Sequence, residues 1–197
     1  LCFSLRHWPI HVQQVPATAY GGPETSPSSP SPESVKLAES YVLIEFVADL
    51  VASTGSKKQL LPSSPVERAK ARFFVEAFTS KFAGSWYKSA AAGEDPNGLV
   101  PALETLQSLL PAEGYAVGEW SIADAAVTPF LARFFAATKH DLGLYPAGQG
   151  KALYDRLQTE PQWERLRKYW ADVSGRESFK NTFDEVSLGS PEWCGVS

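Results

Sequence analysis

The stretch VPATAYGG, residues 15–22, has the composition of a short β-strand that ends in a turn. Val, Thr and Tyr favour extended backbone, and the paired glycines interrupt it. Pro16 is unusual at the start of a strand, because proline has no N–H to give to a neighbouring strand. Two explanations are possible: the strand lies at the edge of a sheet, or the backbone at Pro16 faces a ligand. The residues that follow help to decide between them.

The residues after the turn predict a second strand and then a helix. PETSPSSPSPES, residues 23–34, is too poor in apolar residues to pack and predicts an exposed loop. VKLA, residues 35–38, predicts the second strand of a β-hairpin with an unusually long loop. From Glu39, the segment ESYVLIEFVADL is apolar on most sides, which is typical of a helix buried between layers.

The rest of the chain predicts a helical region. In SPVERAKARFFVEAFTSKFAGSW, Ser64 is a candidate cap and Pro65 occupies a first helical position. LVPALETLQSLL and PQWERLRKYWADV predict two further amphipathic helices. Four aromatic residues of the first of these segments lie four positions apart and predict a core face, with one or two members lining an apolar pocket: Phe74, Phe78, Phe82 and Trp86.

Ser121 and Asp124 mark the start of another helix, in WSIADAAVTPFLARFFAAT. Their spacing is a variant of the capping box, in which each side chain satisfies a backbone N–H near the other residue. We therefore expect both to be structural and not to touch a substrate. The helical periodicity breaks around residues 53–63, which predicts one domain over 1–55 and a second over 62–197.

Composition excludes several classes of protein. The 197 residues are 44% hydrophobic, enough to bury a core, and the net charge of -4 with no run of Lys or Arg argues against nucleic acid. The longest apolar run, YVLIEFVADLVA, contains two acidic residues and is shorter than the roughly 20 residues of a membrane helix. We therefore expect neither nucleic acid nor a membrane as a partner.

The cysteines and histidines favour a cytoplasmic protein with no metal site. Cys2 and Cys194 lie near opposite ends and cannot form a disulfide framework. The three histidines have no partner at ligand spacing: His7, His11 and His140. The sequence contains no methionine, from which we expect residue 1 not to be a translation start, and its first residues lack the pattern of a secretory signal.

Four segments, in this order, resemble the cytosolic glutathione transferases: VPATAYGG, LAESYVLIEFVADL, ERAKARFFVEAF and GEWSIADAAVTPFLARF. The resemblance covers about residues 15–180, and the Pro/Ser insertion with ESVKLAES is most similar to fungal omega-like and etherase-like members. It implies a thioredoxin-like domain that binds glutathione, docked on a helical domain that helps to hold an apolar co-substrate. The expected fold class is thus mainly α, a helical C-terminal bundle preceded by a truncated thioredoxin-like β-hairpin and one helix.

The resemblance also implies the glutathione-binding residues. Val15 and Pro16 match the family's Val-Pro pair, in which the proline is cis and the preceding backbone pairs with the cysteinyl unit. Glu39 and Ser40 match the pair that holds the γ-glutamyl end, where a helix start favours a carboxylate, Ser40 adds a hydroxyl and Glu39 faces the ammonium. Taken singly, Pro16 is better explained by an edge strand and Glu39-Ser40 by a helix cap, whereas their joint occurrence in this order, with the helical half present, favours ligand binding.

In the family, the Tyr, Ser or Cys that activates the thiol follows a first strand, and two strands and a helix precede the cis proline. A βαβ unit needs about 30 residues, but only fourteen precede Val15 and they match neither element. No catalytic residue is therefore predicted, since none of the alternatives lies at the required place: Cys2, Ser4, Thr18 and Tyr20. Without the family's first strand, one edge and one apolar face of the sheet would be uncovered. Three possibilities remain for what covers them: residues 1–14, a second copy of the chain or a separate N-terminal piece.

Three hypotheses about function follow. In its complete form the protein transfers glutathione to small hydrophobic electrophiles, as a detoxifying homodimer. Alternatively, it keeps the scaffold without catalysis and binds apolar ligands or protein partners. As a third hypothesis, the sequence is an incomplete gene product of an ordinary transferase.

Overall fold

The computed structural model describes residues 17–26, 29–56 and 59–185, which fall into two compact units. The smaller unit ends at Leu61 and the larger begins at Pro62. The division lies in the stretch where the sequence loses its helical periodicity.

The smaller unit contains an antiparallel hairpin of β1 (Ala17–Tyr20) and β2 (Val35–Ala38), followed by α1 (Ser40–Ser53). The register pairs Ala17 with Ala38 and Tyr20 with Val35. The hairpin and the helix predicted from the sequence are therefore confirmed over the described residues.

Helix α1 is less buried than its sequence predicted. Ala48 is its one buried residue, and about half of the surface of Val42 and Val47 is accessible, at 50% and 49%. The ring of Tyr20 packs edge-on against Phe46, with centroids 5.0 Å apart. A hairpin of two short strands has too little surface to cover a helix of this length, and so much of its apolar face is accessible.

The larger unit is a helical bundle, and the predicted fold class of a mainly helical chain is confirmed. Its long helices occur where the apolar residues recur at helical spacing. The helices are α2 (Pro65–Ala92), α3 (Val100–Leu109), α4 (Ile122–Lys139), α5 (Gln149–Thr159), α6 (Glu164–Ser174) and α7 (Glu177–Lys180), with 3₁₀ turns at Pro96–Leu99 and Pro161–Trp163.

The core of the bundle lies around α4, which packs against α2, α5 and α6. The aromatic stripe of α2 faces this core: Phe74, Phe78 and Phe82 are buried, and the rings of Phe78 and Phe82 stack at 4.6 Å. Trp86 is half-buried and stacks on Phe82 at 5.9 Å. The prediction that this stripe belongs to the core is thus confirmed for its three phenylalanines.

Helix α4 begins with the predicted capping box. The Oδ2 atom of Asp124 accepts a hydrogen bond from the backbone N–H of Ser121 at 2.9 Å, and the hydroxyl of Ser121 accepts one from the N–H of Ala123 at 3.3 Å. Asp124 is fully buried, and this desolvation raises the pKa of its carboxyl, although the hydrogen bonds it accepts act in the opposite direction. The pair fixes the first turn of α4.

Candidate functional site

The start of α1 has an unusual backbone. Glu39, between β2 and α1, has φ 74° and ψ 118°, in a region that side chains other than glycine rarely adopt. Strain of this kind costs roughly 1–3 kcal/mol and concentrates at functional sites. The geometry places Glu39 at the junction where a sheet edge becomes a helix start.

This helix start is open to an anion. Glu39 makes no side-chain capping hydrogen bond, and the first turn of α1 contains no acidic residue. Both Glu39 and Ser40 are exposed. Since the first N–H groups of a helix have no acceptor within it and the dipole is positive at this end, the arrangement favours a carboxylate.

Two of the four predicted site residues can be located. The structure places Glu39 and Ser40 at the start of α1, whereas Val15 and Pro16 lie outside the described residues. In the hairpin register, Ala17 is opposite Ala38. The residue that follows Pro16 in sequence therefore pairs with the residue that precedes Glu39.

A cleft of about 530 Å³ lies within the hairpin and its Pro/Ser loop, but neither Glu39 nor Ser40 lines it. The ammonium of Lys36 donates to the carbonyl of Ser34 at 2.7 Å and to that of Ser31, and the Ser34 hydroxyl also donates to Ser31 at 2.7 Å. Ser31 and Ser34 are buried, whereas the other described residues of the loop are exposed, as the composition predicted. The polar groups of the cleft serve to order the loop.

A second cavity, of about 360 Å³, lies in the larger unit between α4 and α7, and we refer to it as the α4–α7 pocket. Its described lining is mainly apolar or aromatic and includes one arginine. The described lining consists of Trp120, Ala125, Thr128, Pro129, Arg133, Ser178, Phe179, Thr182 and Phe183.

Contacts with neighbouring side chains fix the orientation of the aromatic rings in the pocket lining. The guanidinium of Arg176 lies 4.0 Å from the centroid of the Trp120 ring, in a cation–π contact, and the ring of Tyr115 meets Trp120 edge-on at 5.4 Å. On the other wall, Phe179 stacks on Phe183 with centroids 4.9 Å apart. Both walls are thus preformed surfaces for a flat apolar molecule.

Among the residues that the structure describes, Arg133 has no acidic partner. It is half-buried, its Nη1 donates to the carbonyl of Pro129 at 3.1 Å, and desolvation lowers the pKa of its guanidinium. No Asp or Glu occurs among the described lining residues of the pocket. A guanidinium has five N–H donors, and so most of its donors stay available to a ligand.

The sequence did not predict the residues of this pocket. Trp120, Arg133, Phe179 and Phe183 come from segments about 50 residues apart, which no local pattern connects. Two spacings could have indicated that these side chains share a helix face: four residues between Phe179 and Phe183, and four between Pro129 and Arg133.

Within the described ranges, no group of three His, Cys, Asp or Glu side chains is arranged to hold a metal ion. Among the helices described, none combines the length and the apolar character needed to cross a membrane.

No protein-family model and no curated protein matches this sequence. Solved structures do match it. Glutathione transferase Omega 1C from Trametes versicolor is 50% identical, with a TM-score of 0.81, over 89% of this chain and 72% of that one. Omega 2S from the same fungus, in complex with 2,4-dihydroxybenzophenone, is 41% identical with a TM-score of 0.81 over 91% and 77% of the chains. Omega 2C is 47% identical with a TM-score of 0.77 over 88% and 73%.

Proposed function

Because this chain belongs to the glutathione transferase family and is fungal omega-like, we propose that it binds glutathione and, in its complete form, transfers it to small hydrophobic electrophiles. The observation that carries the proposal is the identity of 50% to Omega 1C over 72% of that enzyme's chain. Fold alone does not imply activity, and so the proposal also relies on the geometry around Glu39 and on the α4–α7 pocket.

The smaller unit supplies the glutathione-binding residues: Val15, Pro16, Glu39 and Ser40. The strained backbone of Glu39 and the uncapped start of α1 support this assignment, because an exposed, positive helix end attracts the α-carboxylate of the γ-glutamyl group. Ser40 donates its hydroxyl to the same carboxylate, and Glu39 pairs with the ammonium.

The larger unit holds the apolar co-substrate in the α4–α7 pocket. Its volume of about 360 Å³ lies within the range of roughly 300–1,000 Å³ that ligand pockets have. We assign the unit up to Leu61 to the glutathione-binding domain and the unit from Pro62 to the co-substrate domain.

The reaction is nucleophilic attack by sulfur. The glutathione thiol loses its proton, the thiolate attacks an electrophilic carbon to form a C–S bond, and the displaced group leaves with the electron pair of its own bond. In the family, the residue that promotes loss of the proton precedes the hairpin, and so none of the described residues is given this role.

The test is a turnover assay with glutathione and an activated chloronitrobenzene, together with calorimetric titration of glutathione. Glu39→Ala and Ser40→Ala should each weaken glutathione binding about tenfold or more, since each removes a hydrogen bond to a charged group. Asp49→Ala and Ser53→Ala, exposed positions at the other end of α1, are the matched controls and should change neither quantity. Full turnover in both Glu39→Ala and Ser40→Ala would contradict this assignment.

A second candidate function is non-catalytic binding of apolar ligands. The α4–α7 pocket favours it, because the larger unit alone provides its described lining. The solved structure of Omega 2S, a member of the same family, holds an aromatic ketone, 2,4-dihydroxybenzophenone. This candidate predicts ligand binding that Glu39→Ala does not change, without turnover.

We also propose that the protein is a cytoplasmic homodimer that acts in detoxification, as family members do. On α2, Val66 and Phe73 lie seven residues apart on one face and are 63% and 62% exposed. This exposed apolar face supports the proposed dimer, because a second copy could cover it.

A further inference from the structure

The electrostatics of the α4–α7 pocket indicate which co-substrates it selects. Arg133 is the one cationic side chain among the described lining residues, and no acidic side chain lies beside it there. A half-buried guanidinium without a counter-ion is an incomplete ion pair, because partial desolvation penalises its charge and nothing in the lining offsets that penalty.

The other polar groups of the pocket do not complete the pair. The hydroxyl of Thr128 donates to the carbonyl of Asp124 at 2.6 Å, and that of Thr182 donates to the carbonyl of Ser178 at 2.8 Å. Both of these hydroxyl protons are thus used within their own segments, and the remaining donors of the described lining, the Ser178 hydroxyl and the Trp120 indole N–H, offer one neutral proton each. Arg133 is therefore the group in the lining best able to donate hydrogen bonds to a ligand.

The walls define the rest of the ligand. Trp120 and the stacked pair Phe179 and Phe183 offer flat aromatic surfaces, and Pro129 adds an apolar one. The complementary molecule has one or two aromatic rings and an anionic oxygen at one edge, because a planar guanidinium binds such an oxygen group through paired hydrogen bonds.

We infer that the α4–α7 pocket selects aromatic acids, in which a carboxylate, sulfonate or phenolate accompanies the rings, and that Arg133 determines this selectivity. The inference rests on the proposed function, since it names the class of co-substrate for the pocket assigned there. It differs from a purely hydrophobic site in one respect: a neutral ligand of the same shape binds more weakly.

Two fluorescent probes of nearly the same shape separate charge from shape. 8-Anilinonaphthalene-1-sulfonate carries a permanent negative charge, and N-phenyl-1-naphthylamine is its neutral counterpart. Each is titrated against the full chain without glutathione. Arg133→Gln should weaken binding of the sulfonate about tenfold or more, the scale of a lost charge-assisted hydrogen bond, and leave the neutral probe within about threefold.

The control for lost charge is Arg156→Gln, which removes the same charge at an exposed position outside the pocket and should change neither probe. Arg133→Lys keeps the charge without the planar fork, and so its loss should be smaller and confined to the sulfonate. This variant also serves where Arg133→Gln fails to fold, as circular dichroism would show. Phe179→Ala should weaken both probes, because it removes an aromatic wall.

Equal loss of both probes in Arg133→Gln, or no loss of either, overturns the inference. Unchanged binding of both probes in Phe179→Ala also overturns it, since the aromatic anion would then bind elsewhere. These titrations contain no glutathione, and so their outcome is independent of the turnover assay with Glu39→Ala. If the titrations showed no preference for the charged probe, the proposal of glutathione transfer would be unaffected. If the turnover assay failed, the inference about Arg133 would still be tested by the titrations.

Discussion

The phenolic hydroxyl of Tyr169 donates a hydrogen bond of 2.9 Å to Oδ1 of Asp124, and so α6 is tied to the capping box of α4. The same Oδ1 accepts the backbone N–H of Ala116 at 2.8 Å. Both residues are fully buried, and desolvation keeps the pKa of Tyr169 well above its ordinary value, so that the hydroxyl stays a donor. A single carboxyl thus joins a helix cap, a loop and a second helix.

Asp124→Ala should destabilise the fold strongly. It leaves four buried donors without their acceptor, the N–H groups of Ala116 and Ser121 and the hydroxyls of Ser121 and Tyr169, at about 1–3 kcal/mol each. We expect the free energy of unfolding in urea to fall by about 3 kcal/mol or more. Glu113→Ala, whose side chain is 82% exposed, is the control. A loss below about 1 kcal/mol would show that water replaces the carboxyl at no great cost.

Phe82→Ala tests the core face of α2. The side chain is 1% exposed, and its removal leaves a cavity among the rings of Phe78 and Phe134. The expected loss is about 3–5 kcal/mol of unfolding free energy. Tyr87→Ala, on the same helix but 51% exposed, should change stability by less than about 1 kcal/mol. Similar losses in the two variants would be inconsistent with the assigned burial.

The contact between Glu185 and α4 predicts a pH dependence. Glu185 accepts hydrogen bonds of 2.8 Å from Lys139 and His140, and mainly the Lys139 bond lowers its pKa below the ordinary 4.5. A carboxyl with a lowered folded-state pKa stabilises the fold above its unfolded value, and the contribution is lost as the pH falls through the folded value. Wild type should thus melt above Glu185→Gln near neutral pH, and the difference should shrink as the pH falls below 4.5 and disappear below the lowered pKa of Glu185.

These groups are exposed to solvent, so we expect a small difference in melting temperature and a salt dependence. Thermal melts of both proteins at several pH values measure it. A difference that grows as the pH falls would have the wrong sign for this contact.

Phe73→Asp tests the proposed dimer. A charge in the centre of an apolar contact surface opposes association, whereas on an isolated solvent-exposed face it has little effect. We expect light scattering after gel filtration to give the mass of a dimer for wild type and of a monomer for the variant. Lys81→Asp, at an exposed position further along α2, is the control. A wild-type monomer at all concentrations would refute the dimer.

The elements marked by local chemistry were predictable from the sequence. Ser121 and Asp124 identified the start of α4, because a capping box depends on residues three positions apart. Val35–Ala38 was predicted as a strand with the observed bounds, since its composition and the preceding loop are both distinctive.

Two helices and the pocket were not predicted. Helix α5 has three buried residues in eleven, Gly150, Leu153 and Leu157, too few to give a clear apolar stripe, and α7 has only four residues. The pocket depends on tertiary contact between α4 and α7, as does the position of Arg176 over Trp120. Patterns within a short segment of sequence do not predict contacts between segments that are far apart in the chain.

The positive φ at Glu39 has a consequence for how this protein would respond to selection. Glycine adopts this conformation without a steric penalty, and so Glu39→Gly should raise the free energy of unfolding by about 1 kcal/mol while it weakens glutathione binding. If the proposed binding role of Glu39 holds, stability and glutathione binding favour different amino acids at this position. A laboratory screen for heat resistance alone would therefore tend to replace a residue that we propose to bind glutathione.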